Sequence, residues 1–355
     1  MRVLVVDDSV VFRSQITNAL DNIEGIEVVG TAAHGGIALQ KLTQSSIDLV
    51  VLDMEMPEMT GLEFLREIKK IGSTVKVIVF SSQTQRGAEA ALDALSAGAV
   101  DVVAKPSSDG HSFESVAKAI HDALVPKILQ FSKDYGFKKT KGTSVVASEK
   151  PAAKKIRERV DLNKILPTVL LIGCSTGGPP ALEKIFSVLK GPYRIPVLIC
   201  QHMPPIFTEN LAKRLGEMTG VPAGEGKHGE IVRPNRIYVA PGDFHMTIGG
   251  SASHPVILLD QSPQRNSVRP AVDSLFESGA RIYGNGALSV VLTGMGEDGL
   301  IGARAVHQNG GTVVIQDKES SVVFGMPGAI YAEDEYDAIL SLADFPAALK
   351  SQLIG

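Results

Sequence analysis

The chain has 355 residues, with 35 Lys or Arg against 39 Asp or Glu, and a formal net charge of −4 at pH 7. This length exceeds what one ordinary hydrophobic core supports, so we expect two domains. The slightly acidic balance argues against nucleic acid as the main partner. The two cysteines, Cys174 and Cys200, make neither a disulfide framework nor a zinc-binding set, and their apolar surroundings favour buried thiols.

The first residues and the lengths of the apolar runs bear on location. Val3–Val6 begin a strand and do not have the layout of a signal peptide. Apolar runs along the chain stay shorter than the roughly 20 residues that cross a bilayer. We therefore expect a cytoplasmic protein that does not insert into a membrane.

Residues 1–125 alternate short apolar runs with stretches of helical periodicity. Such alternation indicates a parallel sheet with helices on both faces. We therefore predict a doubly wound, flavodoxin-like α/β domain over residues 1–125. Its strand-like runs are 2–6, 26–31, 48–53, 75–80 and 100–104.

Residues 126–166 do not continue this pattern. The stretch 133–164 holds ten Lys or Arg against four Asp or Glu and has little apolar periodicity. We interpret residues 126–166 as a basic linker whose middle is disordered and whose end, Ala152–Val160, is helical. A solvated tether and a segment that docks on an acidic surface both remain open.

The α/β pattern resumes over residues 167–355, which we predict to be a second doubly wound domain, Rossmann-like and with three α/β/α layers. The strand candidates are 169–174, 197–201, 236–240, 256–260, 288–293 and 311–316. The helix candidates are 180–190, 207–219, 270–282, 299–308 and 337–353.

Polar residues follow the strands of the first domain. Asp7 and Asp8 end the first strand, Asp53 the third, Ser81 the fourth and Lys105 the fifth. The carboxyl ends of neighbouring strands meet at one crevice. Three carboxylates there need a cation between them, most simply Mg²⁺, and the lysine and serine can bind a phosphoryl group on one carboxylate.

This pattern resembles the response-regulator receiver domain over about residues 1–125. The matching residues are Asp7-Asp8-Ser9, Asp53-Met54-Glu55-Met56-Pro57 with Gly61, Ser81, and Lys105-Pro106. The resemblance implies that Asp53 accepts phosphate from a histidine kinase. It also implies that Asp8, Asp53 and the Glu55 backbone carbonyl hold Mg²⁺, with Asp7 acting less directly. Val102 departs from the aromatic switch residue of many receivers.

The second domain carries a serine in a Gly-x-Ser-x-Gly pattern, at Gly173–Gly177. The pattern follows an apolar strand and precedes a helix, as in a turn that exposes a nucleophilic serine. A serine that merely caps the helix is the alternative. His202 and Asp298 also follow strands, so Ser175, His202 and Asp298 can meet at one crevice as nucleophile, base and orienting carboxylate.

Two alternatives compete with this triad. His245 and Asp243 also follow a strand and are a rival base and carboxylate. The loop 294–299 matches a dinucleotide-binding Gly-x-Gly-x-x-Gly pattern, with Asp317 further on. However, Glu297 and Asp298 would place two carboxylates where a pyrophosphate should bind, which disfavours that function.

The second domain resembles the catalytic domain of chemotaxis protein-glutamate methylesterases. The resemblance implies catalytic Ser175, His202 and Asp298, and an oxyanion site that includes the Met295 amide, with Thr176 beside the serine. The matching stretches are Gly173–Pro179, Gln201–Pro204, Val239–Gly242, Arg269–Asp273 and Leu292–Gly299.

The resemblance also implies a function and its control. A phosphorylation-regulated enzyme is expected to hydrolyse methyl esters of chemoreceptor glutamates and to deamidate receptor glutamines, without a cofactor for the esterase chemistry. The unphosphorylated receiver is expected to limit access to the serine, and we expect a monomer. A dinucleotide-binding protein and a non-catalytic scaffold are the alternatives.

Overall fold

The computed structural model describes residues 1–106, 113–132, 162 and 165–354 of the chain. Most of the predicted linker 126–166, including the predicted helix 152–160, lies outside the described residues. The fifth helix runs from Phe113 to Leu129 and therefore crosses the predicted boundary between residues 125 and 126.

Within residues 1–132, five parallel strands form one sheet in the order β2-β1-β3-β4-β5. Its strands are β1 (Arg2–Val6), β2 (Glu27–Ala32), β3 (Leu49–Leu52), β4 (Lys76–Ser81) and β5 (Asp101–Ala104). The helices between and after them are α1 (Val10–Leu20), α2 (Gly35–Gln44), α3 (Gly61–Lys70), α4 (Gln85–Ala97) and α5 (Phe113–Leu129).

Local sequence signals explain where these helices begin. The Ser9 and Thr84 hydroxyls accept the N–H groups of Phe12 and Gly87, and so cap α1 and α4. Thr60 and Glu63 form a capping box at the start of α3. The central strands β1 and β3 are apolar and buried on both faces, as expected for strands covered by helices on both sides.

Across residues 165–354, seven strands form a second parallel sheet in the order β14-β13-β12-β6-β7-β9-β8, and β10 and β11 form a separate hairpin. The strands are β6 (Val169–Cys174), β7 (Val197–Gln201), β8 (Ala223–Glu225), β9 (Ile237–Val239), β10 (His245–Ser251), β11 (His254–Asp260), β12 (Ala287–Val291), β13 (Thr312–Gln316) and β14 (Ala338–Leu340). The helices are α6 (Gly178–Phe186), α7 (Phe207–Thr219), α8 (Val272–Tyr283), α9 (Leu300–Gln308), α10 (Met326–Glu333) and α11 (Phe345–Leu353).

The predicted helix 337–353 is wrong in its first half. Ala338–Leu340 is an edge strand that pairs with β13, and α11 begins only at Phe345, with a proline in its first turn. The tertiary pairing of this short segment overrides its helical period. The sequence also did not predict the helix α10 or the strand β10. In β10, two glycines near the end of the strand interrupt the alternation of apolar and polar residues.

The two domains pack against each other through α4, which contacts α6 and α7. Buried side chains of both domains belong to one continuous apolar cluster, with Leu92 and Leu95 on α4 and Leu211 and Leu215 on α7. Polar pairs between the domains here include Gln85–Asn210 (2.6 Å), Asp93–Arg214 (2.7 Å) and Ser96–Glu183 (2.7 Å). Among the described residues, no helix combines the length and the apolar character that crossing a bilayer requires.

Candidate active site

The turn that carries Ser175 lies between β6 and α6. Gly177 has a φ of 78°, in the left-handed region that glycine adopts readily. A Cβ atom on Gly178 would lie 2.0 Å from the side-chain oxygen of Gln201, so glycine permits this close approach. The side-chain amide of Gln201 donates to the Ser175 carbonyl at 3.0 Å. The sequence pattern and Gln201 together hold the serine at the carboxyl end of the sheet.

His202 and Asp298 meet beside this turn. His202 follows β7, and its backbone N–H donates to the Cys174 carbonyl at 3.1 Å, which holds it next to the end of β6. Nε2 of His202 lies 2.8 Å from Oδ2 of Asp298. The Asp298 side chain is 2% exposed and that of His202 is 9% exposed, so the pair is largely shielded from water.

The Asp298 carboxylate is held by backbone groups as well as by the histidine. The N–H groups of Val272 and Asp273, at the start of α8, donate to it at 2.6 and 3.1 Å. Burial opposes ionisation, but the hydrogen bond and charge of His202, with these N–H groups, bring the pKa of Asp298 below its ordinary value. The arrangement keeps a carboxylate ionised to orient the imidazole.

Hydrogen bonds connect His202 to Asp298 but do not connect the Ser175 hydroxyl to this pair. Ser175 is 8% exposed, and within the described residues its hydroxyl has no hydrogen bond to His202 or to another acceptor. Catalytic hydrogen bonds often form only in the substrate complex. The N–H of Met295 also lacks an acceptor within the described residues, so it is available to an oxyanion.

The rival pair has other partners. Asp243 accepts both hydrogen bonds from the guanidinium of Arg269, at 2.6 and 3.0 Å, and Nε2 of His245 lies 3.2 Å from the Pro263 carbonyl. In the glycine-rich loop 294–299, the Asp298 carboxylate contacts His202 and accepts the Gly299 N–H. A carboxylate in that position does not favour binding of a dinucleotide.

The acidic pocket of the first domain lies at the ends of its strands. Oxygens of Asp7, Asp8 and Asp53 all lie within 4.8 Å of one another. Nζ of Lys105 lies 2.8 Å from Asp7 and 3.0 Å from Asp53. Burial raises the pKa of Asp53 to about 6 despite the nearby lysine. A set of carboxylate oxygens at this spacing fits a hard divalent cation.

The remaining predicted residues of the pocket have different surroundings. The Ser81 hydroxyl is buried and donates to the Gly87 carbonyl at 2.9 Å. The Glu55 side chain lies 3.3 Å from the guanidinium of Arg86, outside the carboxylate group, so any metal contact of Glu55 depends on its backbone carbonyl. Val102 is buried in β5 and paired with β4.

The first domain contacts the serine turn directly. The Thr176 hydroxyl donates to Oδ2 of Asp101 at 2.5 Å, and the Gly177 N–H donates to the Val100 carbonyl at 3.1 Å. Nζ of Lys127, on α5, lies 2.6 Å from the same oxygen of Asp101. The residues that follow the serine are thus bound by the start of β5.

Three residues at these sites were given no role from the sequence. Asp101 has no signal in the sequence, because its role depends on domain packing. Asn266 and Asp273 surround Asp298, and Asp273 entered the analysis only as part of a matching stretch. The signal that the sequence offered for Asp273 was its position as an acidic residue at the start of a predicted helix.

Comparisons with known proteins agree with the architecture. Residues 170–349 match the CheB methylesterase family, and residues 3–117 match the response regulator receiver domain family. A receiver domain implies control by phosphorylation. The methylesterase match covers half of the chain and includes Ser175, His202 and Asp298.

Similar proteins and one solved structure extend these matches. The chain is 41% identical over 341 residues to a protein-glutamate methylesterase/protein-glutamine glutaminase of Trichodesmium erythraeum, covering 96% of each. It is 36% identical to that of Pyrococcus horikoshii, covering 98% of this chain and 92% of the relative. The CheB methylesterase catalytic domain of Thermotoga maritima aligns with a TM-score of 0.50 and 41% identity, over 52% of this chain and 98% of that domain.

The predicted family and fold class are confirmed by these comparisons, which do not favour the dinucleotide-binding and scaffold alternatives. The chain therefore belongs to the CheB family of protein-glutamate methylesterases, with a receiver domain ahead of the methylesterase domain.

Proposed function

We propose that Ser175, His202 and Asp298 carry out the hydrolysis in this methylesterase, which removes methyl esters from chemoreceptor glutamates and deamidates receptor glutamines. The observation that supports this most directly is the buried 2.8 Å contact between His202 and Asp298, next to the serine turn. A serine hydroxyl needs such an oriented imidazole to lose its proton near neutral pH.

The proposed reaction has two halves. Ser175 Oγ attacks the ester carbonyl while His202 takes its proton, and the bond to the methoxy group then breaks. The same proton leaves with the methoxy group as methanol. His202 next takes a proton from water, and the hydroxide attacks the acyl carbonyl. As the acyl–Oγ bond breaks, His202 returns this proton to Ser175 Oγ, and the released glutamic acid loses its remaining proton to solvent.

The contact between His202 and Asp298 supports one role for each ring nitrogen of His202. Because Nε2 faces Asp298, Nδ1 is the nitrogen left to receive the serine proton. The N–H of Met295, which has no acceptor among the residues that the structure describes, would stabilise the oxyanion, with the Thr176 hydroxyl nearby. One such hydrogen-bond donor stabilises the transition state by about 3–4 kcal/mol. The esterase step needs no cofactor in this scheme.

A serine-directed phosphonate tests the proposal without a natural substrate. We expect stoichiometric labelling that maps to Ser175, because the reagent needs an activated serine. Labelling should be lost in His202→Gln but retained in His228→Gln, whose ring lies on an exposed loop. An unlabelled wild-type protein would favour the scaffold alternative.

For the receiver domain, we propose that Asp53 accepts phosphate from a histidine kinase and that Asp7, Asp8, Asp53 and the Glu55 carbonyl hold Mg²⁺. The ion would offset the charge of the incoming phosphoryl group, and Ser81 and Lys105 would bind its oxygens. Ser81 would exchange its hydrogen bond to Gly87 for this contact.

Asp53→Asn is expected to abolish phosphate incorporation from a phosphorylated kinase or a small acyl phosphate, because the amide cannot form the acyl phosphate. Incorporation is measured with radiolabelled donor. The matched control is Asp48→Asn, an exposed aspartate just before β3, which should incorporate phosphate like the wild type. Full incorporation in Asp53→Asn would move the site elsewhere.

We also propose that the enzyme works in the cytoplasm as a monomer, since its proposed substrate is the helical cytoplasmic region of chemoreceptors. The domain limits proposed are 1–125 for the receiver, 126–166 for the linker and 167–355 for the methylesterase.

A further inference from the structure

A second buried carboxylate, Asp273, lies beside the catalytic one. Its Oδ1 accepts the N–H groups of Gly299 and Gly302, at the start of α9, at 2.9 and 2.8 Å. Asp298, which precedes α9, accepts the first N–H groups of α8, the helix that contains Asp273. Each carboxylate therefore caps the start of the other's helix.

The N–H of Gly299 reaches Oδ1 of both Asp273 and Asp298, at 2.9 and 3.1 Å, so these two buried carboxylates lie side by side and repel each other when both are ionised. Burial, followed by the charge of Asp298, raises the pKa of Asp273. A proton taken up by the pair would weaken the negative charge that orients His202. The site therefore needs a donor between the two side chains.

Asn266 supplies that donor. Its side-chain nitrogen lies 3.0 Å from Oδ2 of Asp273 and 3.1 Å from Oδ1 of Asp298, so the two amide hydrogens reach one carboxylate each. Asn266 and Ser267 occupy the centre of a tight turn in which Arg265 and Val268 exchange backbone hydrogen bonds.

Both central residues of this turn have left-handed backbones, with φ of 50° for Asn266 and 63° for Ser267. Such a turn favours Asn or Gly at its first central position. Glycine would satisfy the backbone equally well, but it would supply no donor to the carboxylates.

We propose that Asn266 is a positioning residue of the esterase, whose side-chain amide bridges Asp273 and Asp298 and holds the catalytic carboxylate ionised against His202. This inference rests on the proposed triad. Asn266 acts through Asp298 and does not touch the reacting atoms.

The other titratable groups around the pair do not replace the amide. Arg265 lies nearby, but its guanidinium is paired with Glu277 of α8 at 2.5 Å. Burial, with the charge of Asp298, raises the pKa of the Cys200 thiol in β7, so that thiol stays neutral. The His202 ring faces the other oxygen of Asp298, away from Asn266.

Asn266→Gly removes the bridge and keeps a residue suited to the turn. Without the donor, the ionised carboxylates of Asp273 and Asp298 are less stable, so this pair binds a proton more tightly. The acidic limb of kcat/KM should move to higher pH by about one unit, and kcat should fall about tenfold. Methanol release from methylated chemoreceptor fragments, followed against pH, measures both.

Two further variants make the result specific. Asn266→Asp places a third carboxylate at the same position and should shift the limb further than Asn266→Gly. The matched control is Asn235→Gly, because Asn235 also has a left-handed backbone, with φ of 55°, and bonds the Tyr193 N–H away from the pair. The control should keep the wild-type pH profile.

A fall in activity without movement of the limb, or an unchanged profile in both Asn266 variants, would overturn the proposal. Titration of the Asp273 carboxyl by NMR gives a readout that needs no substrate, and the pKa of Asp273 should rise in Asn266→Gly because the Asn266 hydrogen bond that lowers it is lost. If the wild type released no methanol while this titration still shifted, the proposed function would fail and the bridge would stand.

Discussion

Ser175→Ala is expected to reduce methanol release by at least about a thousandfold while leaving the fold intact. The hydroxyl is the atom that forms the acyl-enzyme, and removal of such a nucleophile in a serine hydrolase typically costs several orders of magnitude in kcat. The hydroxyl has no hydrogen bond within the described residues, so its loss leaves no partner unsatisfied. Methanol release and thermal unfolding measure the two effects.

Ser187→Ala is the matched control for this prediction. Ser187 ends α6, the helix that begins after the serine turn, and its hydroxyl bonds the Lys184 carbonyl on an exposed surface. Its substitution should leave methanol release unchanged. Substantial hydrolysis by Ser175→Ala would exclude Ser175 as the nucleophile, whatever the control does.

Removal of residues 1–132 is expected to raise basal esterase activity about tenfold, within the range typical of coupling between sites, about 5–150-fold. The receiver binds Thr176 and Gly177, directly after the proposed nucleophile, and α4 covers α6 and α7. Because these contacts hold the residues next to a serine that is itself 8% exposed, we expect a receptor helix to reach it more easily once they are removed. The unphosphorylated full chain is the reference.

A substitution in the full chain separates this contact from the rest of the interface. Asp101→Asn keeps the shape of the side chain but weakens its charge-assisted bonds to Thr176 and Lys127, so it should give part of the increase. Asp122→Asn removes the same charge from an exposed position on α5 and should have no effect. A truncated enzyme no faster than the intact one would contradict the blocking role.

The candidate site residues could be predicted from the sequence because the ends of parallel strands meet at one edge of a sheet. Asp53, Lys105, Ser175 and His202 could each be placed by one rule, that polar residues after buried strands meet at the carboxyl edge of the sheet. That rule also brought Asp298 close to His202, although 96 residues separate them in the chain.

The parts that could not be predicted depend on long-range packing. The edge strand at Ala338–Leu340 exists because β13 offers it a partner, and its own residues carry a helical pattern. The contact between Asp101 and Thr176 depends on how two domains dock, which no local pattern encodes. The bridge at Asn266 depends on a tight turn folding back over two helix starts.

Strand β5 runs between the phosphorylation pocket of the first domain and the serine turn of the second. Asp101 at its first residue bonds the serine turn, and Lys105, just after its last, pairs with Asp53. Four residues of extended chain span only about 13 Å. β5 pairs with β4 and contacts α4 and α5 along this length. A change that phosphorylation makes around Lys105 would therefore have to travel only the length of this one strand to reach the residues that hold the serine turn.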